Sequence, residues 1–191
     1  MSTNFSLEQL EYQTPEGGSG VLVEDVIPLA SLKTTGGLTL TASTAPTIAA
    51  TETNGIAIVG AASTTALGTI LWTVPTNYDA TTDYLRVKVL CEMSGATDNT
   101  NTIDATVYRK RAGTAITADL DPTASAVIPA SASPTDDAAW RELIITGEGC
   151  QSGDALTINL LTAAHTTNAV NIWGVKIEYA SMIVASDLDD R

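Results

Sequence analysis

Tyr84–Met93 reads YLRVKVLCEM, and its alternation decides the fold class. Leu85, Val87, Val89, Cys91 and Met93 fall on one side, and Arg86, Lys88, Leu90 and Glu92 on the other. A period of two is that of a strand with one buried and one largely wet face. Thr102–Lys110, TIDATVYRK, repeats the pattern, with Ile103, Ala105 and Val107 opposite Asp104, Thr106 and Tyr108. Between them, Ser94–Asn101 is small and polar with one Gly, which predicts a hairpin loop joining the two strands.

Similar runs extend in both directions from this pair. Upstream lie Leu38–Thr44 (LTLTAST, ended by Pro46), Ile56–Ala61 after an Asn54-Gly55 turn, and Thr65–Val74, closed by Pro75. Downstream lie a short edge strand at Ala126–Ile128, then Trp140–Thr146, Ala155–Leu161 and Ala169–Tyr179, with Met182–Ala185 as an extension. Helical periodicity is almost absent. The expectation is an all-β antiparallel β-sandwich over residues 38–186, a jelly roll of about eight strands, with another sandwich topology as runner-up. Residues 187–191 form an acidic tail.

Residues 1–37 differ in style. They carry Glu8, Glu11, Glu16, Glu24 and Asp25 against Lys33 alone, and two glycine-rich breaks flank VLVEDVIPLASL. Two readings stand. One is an extended N-terminal arm ordered by lying on something else. The other is an edge strand of its own domain, stopped by Pro28. Ser6-Leu7-Glu8-Gln9 is a weak helix-capping pattern.

The chain has 191 residues, 22 acidic against 9 basic, for a net charge of −13. That balance argues against nucleic acid and against an anionic membrane surface, both of which want a basic footprint. No run approaches the roughly 20 apolar residues of a membrane helix, and Met1–Leu10 does not read as a signal peptide. Cys91 and Cys150 are too few for a disulfide framework and are expected to be reduced and structural, with a mutual bridge as the minor alternative.

Chemistry is thinly marked. His165 is the one histidine, and a triad with Asp154 and a serine lacks any local signature, so a solvated loop residue is expected. Zinc would need more Cys and His than the chain has. Calcium has oxygen-rich loops to consider: Asp98, Asn99, Asn101 and Asp104; Asp79 and Asp83; Asp187, Asp189 and Asp190. None has the order of an EF-hand, and solvated acidic loops are the expectation, with no cofactor. Trp72, Trp140 and Trp173 sit inside strand runs, where core packing is their natural role; Tyr78, Tyr84 and Tyr108 are the candidates for a sugar platform. Arg109, Lys110 and Arg111, with Arg86 and Lys88 on the neighbouring strand, are the candidate protein–protein contact. As a basic patch they would meet an acidic neighbour, such as the arm of another copy. As surface ions they would pair across strands with Asp104, Glu92 or Glu142.

The stretches LTLTAST, TALGTILWTVPTNYD, YLRVKVLCEM and TIDATVYRKR, in an acidic chain rich in Thr, Ala and Ser and poor in aromatics, resemble bacteriophage virion proteins. The nearest kind is the capsid decoration or cement protein, and the likeness of style covers residues 38–185. The resemblance implies a non-enzymatic, homotrimeric jelly roll on the outer surface of a phage head, made in the host cytoplasm and clamping major capsid protein subunits. It brings no site residues with it. The alternative expectation is a carbohydrate- or receptor-binding module of a phage tail or fibre.

Overall fold

The computed structural model describes residues 20–41, 46–51, 55–117, 120–122, 124–130, 138–146 and 149–182. Its strands are β1 (Gly20–Ile27), β2 (Thr47–Thr51), β3 (Gly55–Gly60), β4 (Ala66–Thr73), β5 (Leu85–Met93), β6 (Thr102–Lys110), β7 (Ala126–Val127), β8 (Ala139–Ile144), β9 (Ala155–Thr162) and β10 (Val170–Met182). They form an all-β fold of two antiparallel sheets in a sandwich-like arrangement. One sheet has six strands, ordered β2-β3-β10-β5-β8 with β1 also on β10; the other has four, ordered β4-β9-β6-β7.

The alternating residues explain why the sheets meet. Leu85, Val87, Val89, Cys91 and Met93 of β5 and Val175, Ile177 and Tyr179 of β10 form one buried layer. Ile103, Ala105 and Val107 of β6 and Leu156, Ile158 and Leu160 of β9 belong to the same core from the other sheet. Removing those faces from water is the main drive for closing the sandwich. The pairing is nested: β3 with β10, β4 with β9, β5 with β8, and β6 with β7. Two further pairings, β10 with β5 and β9 with β6, join these pairs into sheets.

The predicted hairpin is therefore corrected. Both of its strands form where expected, yet β5 pairs with β10 and β8 while β6 pairs with β9 and β7. Alternation reports which face of a strand is buried and says nothing of its neighbour. An extended chain covers about 3.3 Å per residue, so the connection Ser94–Asn101 has ample length to cross the roughly 10 Å between stacked sheets. It is tied down on arrival. The carboxylate of Asp98 accepts from the N–H groups of Thr167 and Asn168, at 3.0 and 2.7 Å, and Asn168 Oδ1 accepts from those of Thr97 and Asp98.

Leu38–Thr44 is a second correction. Over its described part it is a loop folded back on Lys33 and Thr34, with Thr34 N–H donating to Leu38 O at 2.7 Å. Gly37, at φ +80°, turns the chain there, where glycine alone is unstrained. The strand forms instead just past Pro46, as β2. The runs at 56–61, 65–74, 126–128, 140–146, 155–161 and 169–179 do become β3, β4, β7, β8, β9 and β10 within a residue or three of their predicted ends.

Of residues 1–37, Gly20–Ile27 forms an edge strand of the six-stranded sheet. β1 pairs with β10 from Gly20↔Met182 to Ile27↔Val175, and Pro28 follows it. Thirteen-residue β10 carries β3 and β1 end to end along one side, with β5 on the other. The capping pattern at Ser6, Asn54, residues 183–186 and the acidic tail lie outside the described residues.

Candidate functional site

The outer face of the six-stranded sheet is built by the same period of two that fills the core. With Val87, Val89, Val175 and Ile177 turned inward, Arg86, Lys88, Leu90, Gly174, Lys176 and Glu178 face out. Register brings Glu142, Lys88 and Lys176 into one row across β8, β5 and β10. Arg86, Glu178 and Glu24 form the next row across β5, β10 and β1.

These charges satisfy one another. Lys88 Nζ lies 2.6 Å from Glu178 Oε2 and 3.7 Å from Glu24 Oε1, and Lys176 Nζ donates to Glu24 Oε2 at 2.9 Å. Arg86 Nε is 3.2 Å from Glu142 Oε1 and its guanidinium lies 4.3 Å over the Tyr84 ring. Tyr84 Oη donates to Glu178 Oε1 at 2.6 Å. The hydrogen bond from Lys176 holds the Glu24 carboxyl below its usual value. Burial, then the Glu178 hydrogen bond, pushes the Tyr84 phenol upward.

Beside this network stands Trp140, 43% exposed. A Cβ at Gly174 would meet its Cη2 at 3.2 Å, and Lys176 Nζ lies 4.8 Å from the ring centroid. Glu24, Lys88, Trp140, Arg141, Glu142 and Lys176 line an open groove of about 300 Å³. The core role predicted for Trp140 is thus overturned. Leu143 and Ile145 take the buried phase of the run, which leaves Trp140, Glu142 and Ile144 outside. The charge at Glu142 was the signal of that phase in the sequence. Trp72 does pack in the core, and its Nε1 donates to Asp25 Oδ2 of β1 at 3.0 Å. Trp173 is partly buried and donates to Glu92 Oε1 at 2.8 Å.

The five predicted contact residues do not converge. Arg86 and Lys88 stand on β5, whereas Arg109 and Lys110 end β6 in the other sheet and Arg111 follows them. The single patch failed with the hairpin that would have juxtaposed them. Arg111 forms a forked pair with Asp154, Nε to Oδ1 at 2.7 Å and Nη2 to Oδ2 at 2.6 Å. Lys110 donates to Thr114 O, and the guanidinium of Arg109 lies against Gly149. Of the cross-strand partners expected, Glu142 takes Arg86; Asp104 instead accepts from its neighbour Ala105 N–H, and Glu92 from Trp173.

His165 is buried, against expectation, with Nδ1 and Nε2 each 3.2 Å from a backbone carbonyl, those of Ala163 and Ala61. Its ring braces two loops, and its triad partner Asp154 is occupied by Arg111 and the Gln151 N–H. Among the described residues no three His, Cys, Asp or Glu side chains group as a metal site, and Asp98 is committed to backbone N–H groups. Cys91 and Cys150 are free and buried, and burial pushes the Cys91 thiol up to about 12. Of the tyrosines, Tyr78 is buried, Tyr84 is spent on Glu178, and Tyr108 is exposed on the other sheet. Among the described residues no helix is long and apolar enough to cross a membrane. No protein-family model matches the chain, and no curated protein matches it.

Proposed function

We propose that the protein is a non-enzymatic structural protein of a bacteriophage virion, a decoration or cement protein on the outside of the head that stabilises contacts between major capsid subunits. One observation carries the reading: the nested pairing of β3 with β10, β4 with β9, β5 with β8 and β6 with β7. Nested antiparallel pairing over two sheets is what a jelly roll would require, and that architecture recurs in viral capsid domains, which supports the reading. A fold hosts many functions, so the site must speak as well. On the described surface Arg86, Lys88, Arg111 and Lys176 are each paired with a carboxylate, an arrangement that suits a structural role.

A symmetric clamp multiplies weak contacts through avidity. Light scattering after size exclusion is expected to give a trimer of about 59 kDa from 19.8 kDa chains. Co-sedimentation with undecorated heads of the cognate phage is expected to saturate at a fixed copy number. A monomer that leaves such heads bare would remove the proposal.

A further inference from the structure

We propose that the groove beside Trp140 binds a neutral pyranose saccharide, with the indole as stacking platform and Glu24, Glu142, Lys88 and Lys176 as partners for its hydroxyls. This site is independent of the assembly role. Three observations converge on it. First, the indole N–H groups of Trp72 and Trp173 are both satisfied by carboxylates, whereas that of Trp140 has no acceptor among the described residues. Indole N–H groups usually find a partner when buried; this one stands on an exposed residue, open to water or to a ligand acceptor. Second, the ring is held in place and only partly covered. Gly174 and Lys176, both on β10, meet it from the sheet, and 43% of the residue stays exposed. A rigid aromatic face presented to solvent is what the apolar C–H face of a pyranose stacks upon.

Third, the lining suits a hydroxyl rim. Apart from the indole, the groove is lined by carboxylates, ammonium groups and Arg141, with no aliphatic residue. Each sugar hydroxyl donates one hydrogen bond and accepts others; Glu24 and Glu142 accept, and Lys88 and Lys176 donate. Glu24 is already bridged by Lys88 and Lys176, so the wall offers fixed dipoles rather than a free charge. That arrangement, on a chain of net charge −13, disfavours an acidic glycan. The groove volume of about 300 Å³ is at the small end of ligand sites, which fits a terminal sugar or a disaccharide.

The test is a glycan array of neutral and acidic saccharides probed with the full chain, followed by titration of the best neutral ligand against tryptophan emission. Binding to neutral saccharides is expected. Trp140→Ala is expected to weaken it by about tenfold or more, Trp140→Phe to retain most of it, and Glu24→Gln to weaken it several-fold. Gly174→Leu, which displaces the ring from beneath, should mimic Trp140→Ala, and unchanged denaturation midpoints would show that each variant folds. The proposal is overturned if no neutral saccharide binds, if only acidic glycans bind, or if Trp140→Ala binds as the parent does.

Discussion

Asp98 and Asp154 show how single carboxylates fasten this fold. Backbone N–H groups around Asn168 hold the Asp98 carboxyl below its usual range, and Arg111, then the Gln151 N–H, does the same for Asp154. A depressed carboxyl contributes stability that is present above the unfolded value, about 3.9, and is lost as pH falls through the folded value. Thermal midpoints are therefore expected to hold between pH 7 and 5 and to fall below about pH 4. Asp98→Asn and Asp154→Asn should each flatten that acid limb; variants that fall as steeply as the parent would refute the assignment. Gly68 makes a second residue-scale case. It sits at φ +147° in the irregular register between Ala66 and Gly68, and its missing Cβ would meet Leu32 Cδ2 at 3.1 Å. Gly68→Ala is expected to cost about 1–3 kcal/mol in denaturant unfolding. The two buried thiols should resist a thiol reagent in the native protein and react in full only after unfolding; rapid labelling of the native chain would contradict their burial.

At the scale of elements, β1 is the informative case. Its apolar residues Val23 and Ile27 pack against the core, while Asp25 reaches Trp72 across to the other sheet. An edge strand so fastened is part of the domain. Val23→Asp, which presses a charge into that contact, is expected to cost about 2 kcal/mol or more by urea titration. A loss within error would mean that β1 lies on the sheet without supporting it. The sequence of β1 was ambiguous for a physical reason. An edge strand is paired on one side only, so a segment of mixed apolar and acidic residues fits an edge and a free arm equally well. For β8 the signal was present: Glu142 lies in phase with Trp140, and a charge in the middle of an alternating run marks the wet face.

For the whole molecule, the nested pairing joins distant parts of the chain, as where Ile58 meets Ile172. Closing such loops before their contacts form is slow, so refolding is expected on the millisecond-to-second scale. Stopped-flow refolding within microseconds would be incompatible with that topology. The same distance in sequence separates what was legible from what was not. Alternation by itself determined that the chain is all-β, where most strands run, and which apolar side chains of β5 and β6 are buried, because a side chain's face follows from the backbone's own period. Sequence alone also set the acidity that bounds the partners. Only the tertiary structure decided that β5 and β6 part into different sheets, that Arg86 and Arg111 never meet, that His165 is buried, and that Trp140 stands over Gly174. Each of those depends on which strands become neighbours, and strand pairing is settled by the closing of one shared core, to which every strand contributes.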